Sequence, residues 1–184
     1  MQGVRRVVTG HDPAGRSVFV SDAIVPPITF SSSPDGGCLL LWSADELPTF
    51  PADGIDPYDK GLARNFFPAG PGGFRFNMFS YPPESSGADM ADLDPEAMMA
   101  EVNAKVPGIL DHNDPDAPGM HATDTIDLEI VLTGELNLEL DDGAEKVCRA
   151  GEVIIQNGTR HRWHNRGSEV AVIGCIMIGG TRTA

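Results

Sequence analysis

The last third of the chain is a series of short apolar segments separated by turn residues, and this rhythm restricts the folds open to it. Residues 126–132 form one such segment, and the next alternates apolar with polar positions at Leu136, Leu138 and Leu140. The Asp-Asp-Gly sequence at 141–143 is a strong hairpin signal. Four further segments follow, at residues 146–149, 152–156, 161–165 and 169–178. Closely spaced strands of this length predict an all-β sandwich or barrel.

The length of the chain, 184 residues, suits one domain with its own hydrophobic core and is too short for two ordinary domains. Its 21 glycines and 15 prolines agree with many tight turns between short strands. Residues 1–83 are interpreted as N-terminal strands and irregular loops that pack on the barrel, and residues 120–184 as the barrel core. We therefore expect a single structural domain.

Residues 84–119 differ in character from the regions on either side. Asp94 followed by Pro95 is a helix start, with the acid as N-cap and the proline in the first turn. Met98 and Val102 follow at helical spacing. We interpret the segment as a helical insertion. Because it ends immediately before a polar motif, we also form the hypothesis that it acts as a lid.

The charge of the chain is strongly acidic, with 27 acidic residues against 13 basic ones and a net charge of −14. Such a surface repels the phosphates of nucleic acids and of anionic lipids, so neither nucleic acid nor membrane is expected as a partner. The sequence shows no apolar leader and no stretch of transmembrane length. Three widely spaced cysteines argue against a disulfide framework. We therefore expect a cytoplasmic protein.

Two segments of the predicted barrel carry polar residues in phase. Asp127 and Glu129 share one face of an otherwise apolar strand, and buried carboxylates need water, a cation or a donor. His161, Trp163 and Asn165 likewise share one face of a later strand. Alternation therefore predicts one polar pocket lined by Asp127, Glu129, His161 and Trp163, and a family motif that spans residues 115–134 adds His121 to it.

The same residues resemble the first sequence motif of the cupin superfamily, G-x5-H-x-H-x3-4-E-x6-G. His121 stands at the first histidine and Thr123 at the second. Asp127 replaces the glutamate, and Gly134 closes the motif. Pro115 stands where the opening glycine belongs, so the match is to a divergent form of the motif.

The second cupin motif, G-x5-P-x-G-x2-H-x3-N, is also matched. Gly151 opens it one residue early, and Gln156 takes the place of the proline. Gly158, His161 and Asn165 follow in register. The chain thus resembles a divergent cupin subgroup in which threonine replaces the second histidine of the first motif. The resemblance implies a double-stranded β-helix, or jelly-roll, barrel with extra N-terminal strands and one short inserted helix.

The resemblance also implies a metal site. Cupins generally hold a transition metal with three histidines and one glutamate, and here one imidazole is missing at Thr123. His121, Asp127 and His161 remain, and two histidines with one carboxylate form the facial triad typical of non-haem iron. A divalent iron, manganese, nickel or zinc ion is therefore an expected cofactor. Since cupins with broken ligand sets have also lost their metal, a metal-free pocket stays open as the alternative.

Three functions follow from these alternatives. With a metal, the chain is expected to be a small-molecule oxidoreductase that resembles a dioxygenase. Without one, Glu129 or Asp127 is expected to act as the acid or base of an isomerase, dehydratase or decarboxylase. The third alternative is a cupin that binds a small molecule without catalysis, since fold alone does not settle function. Four residues are expected to contact the substrate: Trp163, Thr123, Gln156 and Asn165.

The strand at 126–132 also has an outward-facing apolar row, formed by Leu128, Ile130 and Leu132. Such a row needs a cover, either from the N-terminal strands or from a second chain. Because cupins commonly dimerise through barrel strands, we expect a homodimer.

Overall fold

The computed structural model describes residues 1–55, 65–86 and 94–183. Within these ranges the chain forms antiparallel β-structure and one α-helix, which confirms the predicted all-β cupin fold with a short inserted helix. The helix, α1, covers Pro95–Lys105. The strands are β1 (Val4–His11), β2 (Ser17–Val25), β3 (Ile28–Phe30), β4 (Ser33–Ala44), β5 (Phe74–Tyr81), β6 (Thr125–Thr133), β7 (Glu135–Glu139), β8 (Glu145–Arg149), β9 (Val153–Asn157), β10 (Arg162–His164) and β11 (Ala171–Gly179).

The strands form two main sheets and a separate hairpin of β1 and β2. The large sheet has the order β3-β4-β5-β11-β6-β9, and the small one has the order β10-β7-β8. The last strand, β11, lies between β5 and β6, so Cys175 is paired with Asn77 on one side and with Glu129 on the other. Strands from the N-terminal 83 residues are therefore hydrogen-bonded into the same sheet as the C-terminal ones.

The hydrophobic core joins the two sheets. Val131 and Ile173 of the large sheet pack in one cluster with Leu136 and Cys148 of the small sheet, and the first three are fully buried. A second cluster contains Cys38, Cys175 and Met177 of the large sheet, with Phe66 and Val106 from the connecting segments. Burying aliphatic and aromatic side chains of this size stabilises a fold by about 1.5–3 kcal/mol each.

The inserted helix lies at the surface. Asp94 caps it by accepting hydrogen bonds from the backbone amides of Glu96 and Ala97, as the sequence predicts. Its contacts to β3 and the loop after it are polar: Glu101 accepts from Ser31, and Lys105 donates to the carbonyl of Thr29. Residues 56–64 and 87–93, which belong to the predicted N-terminal region and insertion, lie outside the described residues. The hypothesis of a lid therefore stays a prediction.

Among the described residues, no helix has both the length and the apolar character that a membrane span requires.

The outer face of the large sheet carries the predicted apolar row. Leu128, Ile130 and Leu132 remain 37, 40 and 41% exposed. Leu128 is paired with Ile155 of β9 and with Ile176 of β11, and paired residues share a face, so the row continues across three strands. The β1–β2 hairpin contributes Arg6, which lies over the Trp42 ring of β4 at 5.5 Å. The described N-terminal strands therefore leave the β6, β9 and β11 part of this face open.

We still predict that a second copy of the chain covers this face in a homodimer. We expect a dimer in light scattering at micromolar concentration, and we expect Leu128→Lys to be a folded monomer, because a buried unpaired ammonium group opposes association. Leu47→Lys is the matched control, since Leu47 is 76% exposed and lies outside the row. A monomeric wild type would contradict the prediction, and circular dichroism reports whether the variants fold.

Candidate functional site

Strand β6 directs two carboxyl groups into the protein. Side chains alternate along it, so Thr125, Asp127, Glu129 and Val131 are buried while the residues between them are not. Asp127 and Glu129 are each only 6% exposed. The apolar residues at the intervening positions take the outer face, and the acids must therefore share the inner face with the core residue Val131.

Two histidines from separate loops meet opposite these acids. The backbone of His121 donates to the carbonyl of His161 at 3.0 Å, and the backbone of His161 donates in return at 2.9 Å. This two-residue antiparallel bridge brings the imidazole centroids to 4.3 Å with the ring planes tilted by 53°. Residues 40 positions apart in the sequence are thus held side by side by the backbone itself.

The hydrogen bonds of the two rings define which nitrogen is available. Nδ1 of His121 lies 3.1 Å from the carbonyl of Gly119, and Nδ1 of His161 lies 2.9 Å from the carbonyl of Thr159. Because a carbonyl only accepts, both Nδ1 atoms carry the proton. Burial lowers the pKa of both histidines, that of His161 to about 4 with a further contribution from His121. Both rings are therefore neutral, and each offers a free Nε2 lone pair.

The acids and histidines line one cavity of about 240 Å³. It contains all five residues of the predicted pocket, together with Thr123, whose hydroxyl lies 2.6 Å from that of Thr125. The remaining walls are mostly aromatic and aliphatic, and they are formed by Phe66, Phe67, Phe79, Tyr81, Ile109, Leu110, Asn113, Gly119, Cys175 and Met177. The cavity is thus apolar at its sides and polar where β6 meets the histidine bridge.

The electrostatics of this cavity favour protonated acids. Burial raises the pKa of Asp127 to about 6, and burial together with the charge of Asp127 raises that of Glu129 to about 8. Oδ1 of Asp127 and Oε2 of Glu129 have no hydrogen-bond partner among the described residues. At neutral pH, Glu129 is therefore mostly protonated and Asp127 mostly ionised, so that one group is an acid and the other a base.

Two predicted substrate contacts lie outside the cavity wall. The Asn165 amide donates to the carbonyls of Tyr81 and Glu169, at 2.7 and 2.8 Å, and its oxygen accepts from the amide of Gly167. These bonds use the amide to hold the turn after β10. Gln156 is paired with Asp127 across β6 and β9 and is buried, and its oxygen accepts from Thr159. The structure therefore keeps both amides out of the cavity wall, although Gln156 lies beside Asp127 in the sheet.

Several lining residues have no signal in the sequence patterns. Phe66 and Phe67 come from an irregular stretch without periodicity, and Tyr81 lies just before the two prolines that end β5. Cys175 and Met177 are paired with Glu129 and Asp127 across β11 and β6, so they face the acids directly. Only knowledge of that pairing identifies the two sulfur-containing residues as part of the site.

The predicted metal site has suitable donor atoms, but these atoms are too far apart to bind one ion. The two free Nε2 atoms and the unpartnered Oδ1 of Asp127 are ligands that transition metals accept. However, among the described residues the three potential ligand atoms that lie within 4.8 Å of one another belong to Glu139, Glu145 and His164. The predicted triad of His121, Asp127 and His161 does not close to that distance. As they stand, these residues do not fit a bound metal.

The group of Glu139, Glu145 and His164 is an ion-pair network on the small sheet. Arg162 donates to Glu139 at 2.7 Å, and His164 also contacts Glu139 at 2.6 Å. Arg166 donates to Glu145 at 2.6 Å. Hydrogen bonds from Arg162 and His164 lower the pKa of Glu139 to about 2. Since these carboxylates are already compensated by cations, the network needs no metal ion.

Curated relatives of the chain come from fungi, while no family model matches it. Phomopsin biosynthesis cluster protein D from Diaporthe leptostromiformis is 29% identical, over 88% of this chain and 70% of that protein. Cupin-domain-containing oxidoreductase fogC from Aspergillus ruber is 26% identical, over 88% of this chain and 64% of that protein. Cupin-domain-containing oxidoreductase virC from Hypocrea virens is 36% identical over 58 residues, or 30% of its length. The chain thus spans less than two thirds of these two oxidoreductases.

Solved structures with a similar fold have lower sequence identity to this chain than the fungal relatives have. The Cnp3 cupin domain of Schizosaccharomyces pombe has a TM-score of 0.47 and 8% identity, over 97% of this chain and 88% of that one. The polyketide cyclase RemF from Streptomyces resistomycificus has a TM-score of 0.44 and 15% identity, over 84 and 73%. Likeness at this level carries no information about activity.

Glu129→Gln tests the electrostatics of the cavity. A carboxyl group with a raised pKa binds its proton more tightly in the folded chain, so the free energy of unfolding falls as pH rises from 4.5 through about 8. We expect the free energy of unfolding of the variant to depend much less on pH. Above pH 8 we expect it to exceed the wild-type value by about 1–3 kcal/mol. Urea unfolding from pH 6.5 upward measures this difference. That range avoids the contribution of His161, whose lowered pKa changes the stability only below pH 6.5.

The matched control is Glu46→Gln, which removes the same charge at an exposed position. Its pH profile is expected to follow the wild type. A Glu129→Gln profile with the wild-type slope would show that this carboxyl group titrates normally in the folded chain.

Proposed function

We propose that the chain is a small-molecule enzyme of the cupin superfamily in which Asp127 and Glu129 transfer protons to and from the substrate. The observation that carries the proposal is the pair itself. Two carboxyl groups, each 6% exposed, have oxygens without protein partners and line an apolar-walled cavity. Groups so buried are expensive to keep unless a ligand uses them.

The pair supports proton transfer at a carbon next to a carbonyl group. Asp127, the more readily ionised of the two, accepts the proton from carbon. Glu129 donates its proton to the carbonyl oxygen, which gives a neutral enol. In an isomerisation Asp127 then gives its proton to another carbon, while the enol hydroxyl returns its proton to Glu129. In a dehydration Asp127 instead gives its proton to a hydroxyl group at the next carbon, which leaves as water, and the enol hydroxyl again returns its proton to Glu129. These steps fit an isomerase or dehydratase that acts on a hydroxylated or carbonyl compound.

The histidines and Thr123 position the substrate in this proposal. The Nε2 atoms of His121 and His161 are acceptors, because both rings are neutral with the proton on Nδ1. They suit the hydroxyl groups of a substrate rather than proton donation to it. The Trp163 ring contacts the His161 ring edge to face, with centroids 6.5 Å apart, and supports the bridge from the small sheet.

Deuterium exchange tests the proton-transfer role without knowledge of the natural substrate. Ring-hydroxylated acetophenones carry exchangeable protons beside a carbonyl group, and mass spectrometry in heavy water follows their exchange. We expect the wild type to accelerate exchange, and Asp127→Asn and Glu129→Gln each to lose about 10²-fold or more. Glu46→Gln is expected to retain the wild-type rate.

Two outcomes distinguish the alternatives. A wild type that binds these ketones but exchanges no deuterium is a binding protein, and affinity that survives Asp127→Asn and Glu129→Gln supports that reading. Exchange that is insensitive to both substitutions contradicts the roles assigned to the two acids.

A metal-dependent oxidoreductase is the second candidate, and the two free Nε2 atoms favour it. The names of two relatives, fogC and virC, describe oxidoreductases with a cupin domain. In this candidate His121, Asp127 and His161 would hold a divalent iron, manganese, nickel or zinc ion. Such an ion supplies Lewis-acid or redox chemistry. The three ligand groups would first have to come closer together than they are in the structure.

Plasma mass spectrometry on protein purified without an affinity tag tests this candidate. About one equivalent of metal that is lost in His121→Ala would support the triad. His164→Ala is the control, because it removes the only histidine of the Glu139, Glu145 and His164 group and leaves the cavity intact. A site that stays empty after incubation with all four metals would contradict the metal-dependent function.

A further inference from the structure

We infer that the substrate of this cavity is an uncharged molecule with about one substituted ring and hydroxyl donors, and that the cavity excludes carboxylates and phosphates. The inference rests on the proposed function, because it takes the cavity of Asp127 and Glu129 as the active site. It adds the charge, size and hydrogen-bonding class of the substrate, which the proposed chemistry leaves open.

The charges around the cavity are the first support. Sixteen described residues line it, and none of them is lysine or arginine. Two of them, Asp127 and Glu129, are acids that are each only 6% exposed. A carboxylate or phosphate inside this cavity would therefore meet other acids and no described counter-charge, and juxtaposition of like charges costs several kcal/mol.

Arginines near the site in sequence or on the same sheet are engaged elsewhere. Arg160 precedes His161 and donates to Asp114 and Asp141. Arg162 follows it and donates to Glu139 and to the carbonyl of Pro118. Arg75, fully buried on β5, donates to Asp45 at 2.5 Å and to the backbone carbonyls of Ala44, Asn65, Phe67 and Phe74. None of these guanidinium groups is a residue of the cavity wall.

The polar atoms of the cavity call for donors on the ligand. Nε2 of His121 and of His161 are acceptors, and so is the unpartnered Oδ1 of Asp127. A buried acceptor without a donor is costly, and a ligand hydroxyl relieves that cost on binding. A hydrocarbon without hydroxyl groups would leave these atoms unpaired, so the ligand must be hydroxylated.

The volume and the walls of the cavity indicate the size and the aromatic character of the ligand. An apolar cavity of about 150 Å³ takes one benzene molecule in another protein. The cavity here, at about 240 Å³, has room for one ring with a few small substituents. Phe66 packs edge to face with Phe67 and Phe79, at centroid distances of 4.9 and 5.8 Å, so the wall presents aromatic edges and faces to a flat ligand.

Three probes of equal size test the inference: 3-hydroxybenzyl alcohol, 3-hydroxybenzoate and 3-hydroxybenzylamine. They differ only in the charge of one substituent at neutral pH, and titration calorimetry on the full chain measures their affinities. We expect the alcohol to bind best and the carboxylate at least about tenfold more weakly. The ammonium compound is expected to bind no more tightly than the alcohol, because the mostly apolar walls of the cavity would remove much of the water that solvates the cation.

Variants assign the selectivity to the acids. Asp127→Asn combined with Glu129→Gln removes the negative charge at nearly constant shape, so the affinity for the carboxylate should rise toward that for the alcohol. Glu46→Gln, which removes an exposed acid outside the cavity wall, should leave the order of affinities unchanged.

The outcomes separate this inference from the proposed function. Binding of the carboxylate or the ammonium compound as tightly as the alcohol overturns the inference, and so does an alcohol that fails to bind up to its solubility. The expected order of affinities, in a protein that exchanges no deuterium into ketones, keeps the substrate class and refutes the proton-transfer function alone.

Discussion

The rest of the structure depends on the register of one strand, β6, whose buried face carries two carboxyl groups. Because side chains alternate along β6, the register that places Val131 in the core also places Asp127 and Glu129 inside. A slip of one residue would instead turn Leu128 and Ile130 inward and solvate both acids. No lysine or arginine is among the described residues that line the cavity, and burial raises the pKa of Glu129, so this residue keeps its proton to a higher pH than an ordinary glutamate. The chemistry of the cavity follows from that one register.

The rest of the site is assembled around this strand by long-range pairing. β11 lies between β5 and β6, so Cys175 and Met177 reach the acids from one side while Phe79 and Tyr81 come from the next strand. The backbone bridge between His121 and His161 closes the opposite side. The same arrangement leaves an apolar outer face on β6, β9 and β11, so the register that builds the cavity also creates the surface that a second copy is expected to cover.

Much of the fold and part of the site could be predicted from residues alone. The hairpin at 141–143, the helix start at Asp94 and the in-phase acids all arise from local rules, namely turn chemistry, capping and alternation. The aromatic wall could not be predicted in the same way, since Phe66 and Phe67 lie in a stretch without periodicity. Asn165 is the opposite case, because alternation predicted that its side chain lies in the pocket. In the structure its amide instead donates hydrogen bonds to two backbone carbonyls.

The sequence by itself determined which chemical groups are present and which face of each strand they share, because alternation is a property of the extended backbone. Alternation therefore grouped the two acids, His161 and Trp163 in one pocket, and the motif resemblance added His121. Only the tertiary structure decided the distances between them, because these depend on strand order and on the bridge between distant loops. That is why the sequence supplies the donors for a metal, whereas their spacing in the fold does not close around one and instead favours an acid–base pair in an apolar cavity.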